Sequence, residues 1–362
     1  MIDLVFYVSG HGFGHAVRSA EVIQALLRLR QDVRVHVRTL APRWIFPEDA
    51  ERIDVRPVGI DVGAVQRDSL SVDPAATVAR YREHMRGEDA LMEREVGELA
   101  RFNPRLIVAD VPALAFPIAA RLGAPGVGIA NFSWDWIYEP YVAADPEGGE
   151  LIGRLRAQYG QASLLLRLPM HGDLSAFPTI EDIPLIARVS RVDRAALRQR
   201  LRLPAGRPLV LVSFGGFEFN GLDPEAMSRL RDYCFVTVGE PKMAPVDNQV
   251  YLPRDGYQYV DLLASVDVVL AKPGYGIVAD CLANRVPLVF ARRGGFREED
   301  VLVRAIQELG LGSEVSRESL ARWEIGESLG AALGRRAKAS GPSLDGASVA
   351  AARLATLMAD GD

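Results

Sequence analysis

The residues best suited to chemistry are two histidines in a glycine-rich segment near the N-terminus. His11 and His15 lie in the run Ser9-Gly-His-Gly-Phe-Gly-His15, after an apolar stretch at residues 4–8 and before apolar residues at helical spacing. This order predicts a buried strand, a tight loop and an amphipathic helix. The helix N-terminus would offer a ligand unpaired N–H groups and a positive dipole end. Because a neutral imidazole accepts a proton near neutral pH, the loop indicates proton transfer as well as binding.

A nicotinamide cofactor is the less favoured interpretation of this loop. Its glycines have the spacing Gly10-x-Gly12-x-Gly14, not the G-x-G-x-x-G of a dinucleotide site. The next predicted strand, residues 33–37, is followed by Arg38 rather than by a carboxylate for the ribose. Arg38 would suit a 2′-phosphate, so NADP remains an alternative.

A second ligand-binding pattern lies near residue 270. An apolar strand at residues 268–271 runs into Lys272-Pro-Gly-Tyr-Gly276, and an apolar helical segment follows to residue 283. The N–H groups of residues 274–276 would point at an anion. Asp280, one helical turn further on, is placed to accept from a ribose or sugar diol. The alternative is a plain strand-to-helix turn with Asp280 as a surface acid.

Both patterns belong to a chain that alternates strands and helices. The predicted strands are residues 4–8, 33–37, 106–109 and 126–129 in the first half, and 208–213, 235–238, 268–270 and 287–290 in the second. Helical spacing covers residues 74–101, 113–122, 143–168 and a closing helix at 344–358. Seven arginines in the connection at residues 186–207 predict a solvated helix face. The fold class is therefore α/β, with two doubly wound domains that bind ligands beyond the carboxyl ends of their strands.

The composition is that of an ordinary globular protein, with 362 residues, 49% hydrophobic and 25% charged. The net charge of −5 argues against a nucleic-acid partner. Cys234 and Cys281 are too few and too far apart for a disulfide framework or a zinc site. No apolar run approaches the ~18 residues of a membrane span, so we expect a cytoplasmic protein, with peripheral membrane contact left open. The sequence predicts no particular oligomeric state.

The strand, glycine pair, helix N-terminus and following acid resemble the donor site of GT-B nucleotide-sugar glycosyltransferases, whose fold is two facing Rossmann-like domains. A closer resemblance is to the N-terminal, glycosyltransferase-like half of plant L-arabinokinases. The shared stretches are Val8-Ser-Gly-His-Gly-Phe-Gly-His-Ala-x-Arg18, Asn131-Phe-Ser-Trp-Asp-Trp-Ile-Tyr138, Leu252-Pro-Arg-Asp255, Lys272-x-Gly-Tyr-Gly276 and Val289-Phe-Ala-Arg-Arg293 with Phe296-x-Glu-Glu299. The resemblance does not extend to the galactokinase-like half, so it implies no kinase activity.

The resemblance implies a catalytic dyad. His15 matches the general base on the acceptor hydroxyl, and Asp110 matches the aspartate that orients this histidine. The pairing is chemically sound because a carboxylate fixes the imidazole tautomer and stabilises the cation that forms. His11 is the rival base. The structural alternatives are that His15 packs the turn and that Asp110 caps the helix after it.

The resemblance also assigns the donor site. Gly215 and Gly216 would cover the diphosphate, with Gly274, Tyr275 and Gly276 as the second phosphate contact. Further donor residues are Leu252 at the base loop, Asp280 at the ribose, Lys272, Arg292 and Arg293 at the diphosphate, and Glu298 and Glu299 at the sugar hydroxyls. Asp280 stands where the class has glutamate, which shortens its reach. No metal is expected, since basic side chains and helix dipoles would neutralise the leaving group, and Asp-x-Asp occurs only at residues 360–362, outside both predicted domains.

The acceptor side comprises loop residues and two tryptophans: Gly12, Phe13, Gly14, Arg18, Trp134 and Trp136. The aromatics would stack on an acceptor or fill the core.

The resulting prediction is a GT-B protein with an acceptor domain at residues 1–186 and a donor domain at 207–333. It would transfer a sugar from a nucleoside diphosphate sugar, with a UDP-sugar favoured, to a hydroxyl acceptor, with inversion and without metal or cofactor. The alternatives are a non-catalytic nucleotide-sugar-binding module and a nucleotide-sugar epimerase.

Overall fold

The computed structural model describes residues 1–68, 70–214, 223–240, 247–335 and 341–359. In these residues the strands are β1 (Ile2–Val8), β2 (Val33–Arg38), β3 (Ile53–Arg56), β4 (Gln66–Asp68), β5 (Ser71–Val72), β6 (Leu106–Asp110), β7 (Gly126–Ala130), β8 (Leu164–Arg167), β9 (Ile180–Asp182), β10 (Leu209–Ser213), β11 (Cys234–Val238), β12 (Gln249–Leu252), β13 (Val268–Ala271), β14 (Leu288–Phe290) and β15 (Gly312–Glu314).

The helices of the same residues alternate with the strands. They are α1 (Phe13–Leu29), α2 (Pro74–Leu99), α3 (Ala115–Arg121), α4 (Trp134–Tyr138), α5 (Gly148–Tyr159), α6 (Arg194–Arg200), α7 (Pro224–Ser228), α8 (Tyr259–Ser265), α9 (Tyr275–Ala283), α10 (Glu298–Glu308), α11 (Arg317–Ala321), α12 (Gly326–Leu333) and α13 (Gly346–Ala359). Short 3-10 turns occupy Arg43–Ile45, Ala100–Phe102 and Glu139–Val142.

The first domain is built on a seven-stranded parallel sheet with the order β3-β2-β1-β6-β7-β8-β9. Its central strand β1 is apolar on both faces because helices cover both. Leu4 and Phe6 pack in one hydrophobic cluster, which includes residues of α1, and Val5 and Tyr7 pack in another, which includes residues of α2 and α3. The alternation follows from the two-residue period of a strand.

The second domain repeats this design with a six-stranded parallel sheet in the order β12-β11-β10-β13-β14-β15. The small β4–β5 hairpin stands apart from both sheets. Helices α1 and α9 lie against each other at the junction of the two domains. The carboxyl ends of β1 and β13 therefore open onto one cleft, and the two facing Rossmann-like domains confirm the predicted architecture.

The C-terminal helix joins the two halves. After the second domain the chain crosses back, and α13 packs along α1 of the first domain. Arg105 Nε donates to the carbonyl oxygen of Met358 (3.0 Å), and Ile186 forms an isolated β-bridge with Asp345. The sequence predicted this closing helix at residues 344–358, without its position.

One local prediction was wrong and another was confirmed only in part. Residues 143–168 were expected to be helical throughout, but they divide into α5 and the strand β8, which pairs with β7 and β9. Most arginines of the connection are exposed, as predicted, but some of them also bind the second domain. Arg194 and Arg198 donate to the carboxylate of Asp267 and to the Ser265 carbonyl, so they attach α6 to the second domain.

No helix within the described ranges has the length and apolar character needed to cross a membrane.

Candidate active site

Two helix N-termini face each other across the cleft. Gly12 is the N-cap of α1 with φ 77°, in the left-handed region that favours glycine. Gly274 is the N-cap of α9. A methyl group on Gly276 would lie only 3.8 Å from the Cα of Gly14, so the two glycine-rich turns nearly touch. The cleft between them therefore receives the positive dipole ends of two helices, which favours an anion.

The predicted dyad is assembled on one side of this cleft. His15 Nδ1 lies 2.9 Å from Asp110 Oδ1, and both side chains are buried. Asp110 ends β6, and the parallel pairing of β6 with β1 places it beside the end of β1. Burial raises the pKa of Asp110, but Arg18 and His15 outweigh it and lower the pKa to about 2. A lasting carboxylate beside Nδ1 orients the ring so that its Nε2 is the atom left for proton transfer.

Arg18 has a different role from the one the sequence predicted. It was placed among the acceptor contacts, but its guanidinium binds Asp110 through Nε (2.7 Å) and Nη2 (2.5 Å), and Asn131 Oδ1 through Nη1 (2.7 Å). Its Cζ also lies 5.2 Å from the centre of the Tyr275 ring. Arg18 is buried and held by these partners, so it serves as the counter-ion of Asp110 at the cleft wall.

His11 lies in the same cleft but in another environment. Its Nε2 is 3.3 Å from Gln66 Nε2, and its ring stacks on Phe296 with centroids 6.0 Å apart. Burial lowers the pKa of His11 well below its usual value, and the positive charge of Arg293 adds to this effect. His11 is therefore held neutral, as a general base requires, but its Nε2 faces the Gln66 amide.

Two basic residues, Lys272 and Arg293, line the donor side of the cleft. Lys272 Nζ lies 3.3 Å from Gln66 Oε1, and Arg293 lines the same cleft with its Cζ 4.1 Å from the centre of the Phe296 ring. Burial lowers the pKa of Lys272 to about 7, and the nearby Arg293 contributes to the shift. A bound anion would raise the pKa of Lys272 and so counteract the lowering by burial and by Arg293.

The neighbouring glutamates Glu298 and Glu299 make different contacts. Glu298 lines the cleft and accepts from Asn131 Nδ2 (2.8 Å) of the first domain. Glu299 accepts the backbone N–H groups of Arg293 and Gly294, and also Arg293 Nε (3.0 Å). Of the pair predicted for sugar hydroxyls, the structure brings Glu298 to the cleft, while Glu299 holds the loop that presents Arg293.

Asp280 and Arg292 are engaged elsewhere. Asp280 is buried and accepts from Arg188 through the backbone N–H (2.9 Å), Nε (3.0 Å) and Nη2 (2.5 Å). It therefore anchors the connection between the domains, and it is not among the residues that line the cleft. Arg292 binds Asp300 (2.8 Å) and Glu314 on the far side of its loop.

Leu252, predicted at the base loop, does not line the cleft. Leu252 ends β12, with its side chain buried and its carbonyl accepting from Gly239 N–H (2.8 Å). Gly215 and Gly216 lie outside the described residues.

The two tryptophans predicted for the acceptor are core residues. Trp134 is fully buried, stacks on Tyr138 and donates from Nε1 to Asp61 Oδ2 (2.9 Å). Trp136 is also buried and packs so closely on Gly172 that a Cβ there would lie 2.6 Å from its ring. The packing alternative therefore describes both, while Phe13 and the loop glycines do line the cleft.

Sequence reasoning missed an aromatic residue at the edge of this site. Trp44 is 68% exposed, in contrast to the other three tryptophans, and its ring makes an edge contact with Phe13 at 5.7 Å. Leu40 beside it is 62% exposed. The available signal was that both follow β2 at the carboxyl edge of the sheet, where parallel sheets bind ligands. Gln66 gave no signal, because its segment has neither helical nor strand period.

The comparisons with known proteins agree with this arrangement. Residues 2–137 match the family model described as glycosyl transferase family 1. L-arabinokinase of Arabidopsis thaliana is 34% identical over 321 residues, which cover 87% of this chain and 30% of that protein. This chain therefore spans under a third of that relative's length.

Solved structures resemble the chain along nearly its whole length. The glycotransferase of kitacinnamycin has a TM-score of 0.62 at 17% identity, covering 99% of this chain and 94% of that one. The glycosyltransferase SnogD from Streptomyces nogalater has a TM-score of 0.56 at 18% identity, covering 99% and 95%. These likenesses confirm the GT-B fold, and the sequence relative confirms the predicted resemblance to plant L-arabinokinases.

Proposed function

We propose that the protein transfers a sugar from a nucleoside diphosphate sugar to a hydroxyl acceptor. The proposal starts from the GT-B fold of the chain. The observation that carries the proposal is the position of the His15–Asp110 pair (2.9 Å) in the same cleft as the N-termini of α1 and α9. A base and an anion site facing each other are what displacement of a diphosphate by a hydroxyl requires.

In the proposed reaction, His15 Nε2 takes the proton of the acceptor hydroxyl. The acceptor oxygen forms a bond to the anomeric carbon while the bond from that carbon to the diphosphate oxygen breaks, which inverts the configuration. The proton stays on the imidazole, and Asp110 stabilises the resulting cation. The electron pair leaves with the diphosphate, whose charge is met by the α9 N-terminus, Lys272 and Arg293.

We further propose that this reaction needs no metal ion and uses UDP-sugars. Two helix N-termini and two basic side chains would supply the charge stabilisation that a divalent cation supplies in other sites. Transfer activity is expected to survive EDTA unchanged. Activity lost with the chelator and restored by magnesium or manganese would contradict this mechanism.

The function is tested in two stages. Isothermal titration with UDP, GDP, ADP and dTDP should show the tightest binding for UDP, with weaker binding when Arg293 is replaced by Ala. The matching nucleotide sugars are then offered with a panel of alcohols, and products are followed by mass spectrometry. Failure of every nucleotide to bind folded protein would refute the donor site. Binding without any turnover, unaffected by His15→Ala, would favour the binding-module alternative.

A further inference from the structure

An arm of the first domain reaches over the cleft to the second domain. The β4–β5 hairpin follows β3, and Leu70 at its tip packs against the core cluster that contains Val212 and Phe214 of the second domain. On the return strand, Val72 Cβ lies 3.9 Å from where a methyl group on Gly295 would be. The hairpin therefore contacts both halves of the protein at the site.

The base of this arm is held by a set of hydrogen bonds. Asp73 N–H donates to the Val65 carbonyl (2.8 Å), and Val65 N–H donates to Thr77 Oγ1 (2.9 Å). Asp73 also caps α2 by accepting from Ala76 N–H (3.0 Å). Gln66 is the first residue of the arm, so these bonds determine where its side chain enters the cleft.

The Gln66 amide bridges the two domains. Its Oε1 accepts from Lys272 Nζ (3.3 Å) of the second domain, and its Nε2 lies 3.3 Å from His11 Nε2 of the first. The orientation of the amide follows from its partners, because an ammonium group only donates and must face the oxygen. The amide nitrogen then donates to His11 Nε2, which leaves the ring proton of neutral His11 on Nδ1.

We propose that Gln66 is a positioning residue that holds Lys272 at the anion site and keeps His11 in the Nδ1–H tautomer. This inference rests on the proposed function, in which Lys272 meets the diphosphate and His15 is the base. With its Nε2 lone pair accepting from Gln66, His11 does not compete with His15 for the acceptor proton. A neutral amide is suited to both tasks, since it donates to an imidazole and accepts from an ammonium group.

The first test reads the tautomer directly, without any substrate. In ¹⁵N-detected histidine spectra at pH ~6, where Lys272 with its pKa of about 7 carries its charge, wild-type His11 should show a proton on Nδ1 and a hydrogen-bonded, unprotonated Nε2. Gln66→Ala should move the His11 signals toward the tautomer mixture of a released ring. Gln66→Glu should place a proton on Nε2, because a carboxylate can only accept. A wild-type proton on Nε2, or His11 signals indifferent to both substitutions, would overturn the inference.

The second test separates positioning from binding. Gln66→Ala should lower kcat about tenfold while changing the Kd of the nucleotide less than about threefold, since one hydrogen bond to a charged group is lost but the charges remain. Arg67→Ala is the matched control, because Arg67 lies in the same hairpin, pairs with Asp73 and is 69% exposed in its side chain. That variant should retain wild-type kcat.

The outcomes distinguish the two proposals. If the wild type turns over and Gln66→Ala has the same kcat, the role of Gln66 is overturned and the proposed function stands. No turnover in wild type overturns the proposed function, while the His11 spectrum still decides whether Gln66 selects the tautomer. Equal losses in Gln66→Ala and Arg67→Ala would show that the hairpin matters only as a scaffold, which also overturns the inference.

Discussion

Binding of a nucleoside diphosphate should be coupled to protonation of Lys272. Lys272 is half-buried in the cleft, and desolvation together with the positive charge of Arg293 lowers its pKa to about 7. Glu299 and Asp68 act in the opposite direction but do not restore the usual value. A diphosphate at the α9 N-terminus adds negative charge next to Nζ, so the pKa of Lys272 must rise in the complex.

The magnitude follows from this value. With a pKa of about 7 in the free protein, Lys272 is about nine-tenths charged at pH ~6 and about one-tenth charged at pH ~8. If only the charged form binds the diphosphate well, Kd rises about tenfold over this interval, which corresponds to about 1.4 kcal/mol. The sign is fixed by linkage: the complex takes up a proton, so affinity falls as the pH rises through the pKa of the free protein.

Isothermal titration measures both quantities. Titrations with UDP at several pH values give the Kd profile, and repeating them in buffers of different ionisation enthalpy gives the number of protons taken up. The contribution of Lys272 to this number should be an uptake of about 0.9 proton per UDP at pH ~8 and about 0.1 at pH ~6. The terminal phosphate of UDP loses its own last proton near pH ~6, which strengthens binding as pH rises and therefore has the opposite sign.

Lys272→Arg is the matched control, because a guanidinium stays charged throughout this range. Its Kd should lack the loss of affinity above neutral pH and should report the titration of the nucleotide alone. Lys272→Met should bind weakly at every pH. If wild type and Lys272→Arg take up the same number of protons at pH ~8, the desolvation argument for Lys272 is refuted.

Further predictions concern the His15–Asp110 pair and Trp44 at the edge of the site. His15→Ala should lower kcat by about 10²–10⁴ and leave the Kd of UDP unchanged, as measured by initial rates and titration; full turnover would assign the base elsewhere. Asp110→Asn should also cost about 3–5 kcal/mol of unfolding free energy in urea, because it leaves the buried Arg18 without its counter-ion; an unchanged urea midpoint would contradict this. Trp44→Ala should raise KM about 2–10-fold for acceptors with an apolar ring, with Leu29→Ala, another exposed apolar residue, as the silent control.

The sequence alone determined the elements that build the site. Alternation of apolar strands and helical segments, with glycines at the strand ends, predicted two parallel-sheet domains and the edges at which ligands bind. The domains and edges depend on local periodicity and on one topological rule, and both are readable along the chain. The dyad was predicted only from the resemblance to glycosyltransferases, and the parallel pairing of β1 with β6 is what brings Asp110 beside the end of β1.

The tertiary structure alone decided what each charged or aromatic side chain does at those edges. Asp280 binds Arg188, 92 residues away, instead of lining the cleft, and Arg18 at the cleft wall neutralises Asp110. Gln66 enters the site on a hairpin whose sequence shows no periodic pattern. The physical reason is that a buried charge must be paired by whichever group packs beside it. That neighbour is determined by how distant segments pack together, so no local pattern in the sequence encodes it.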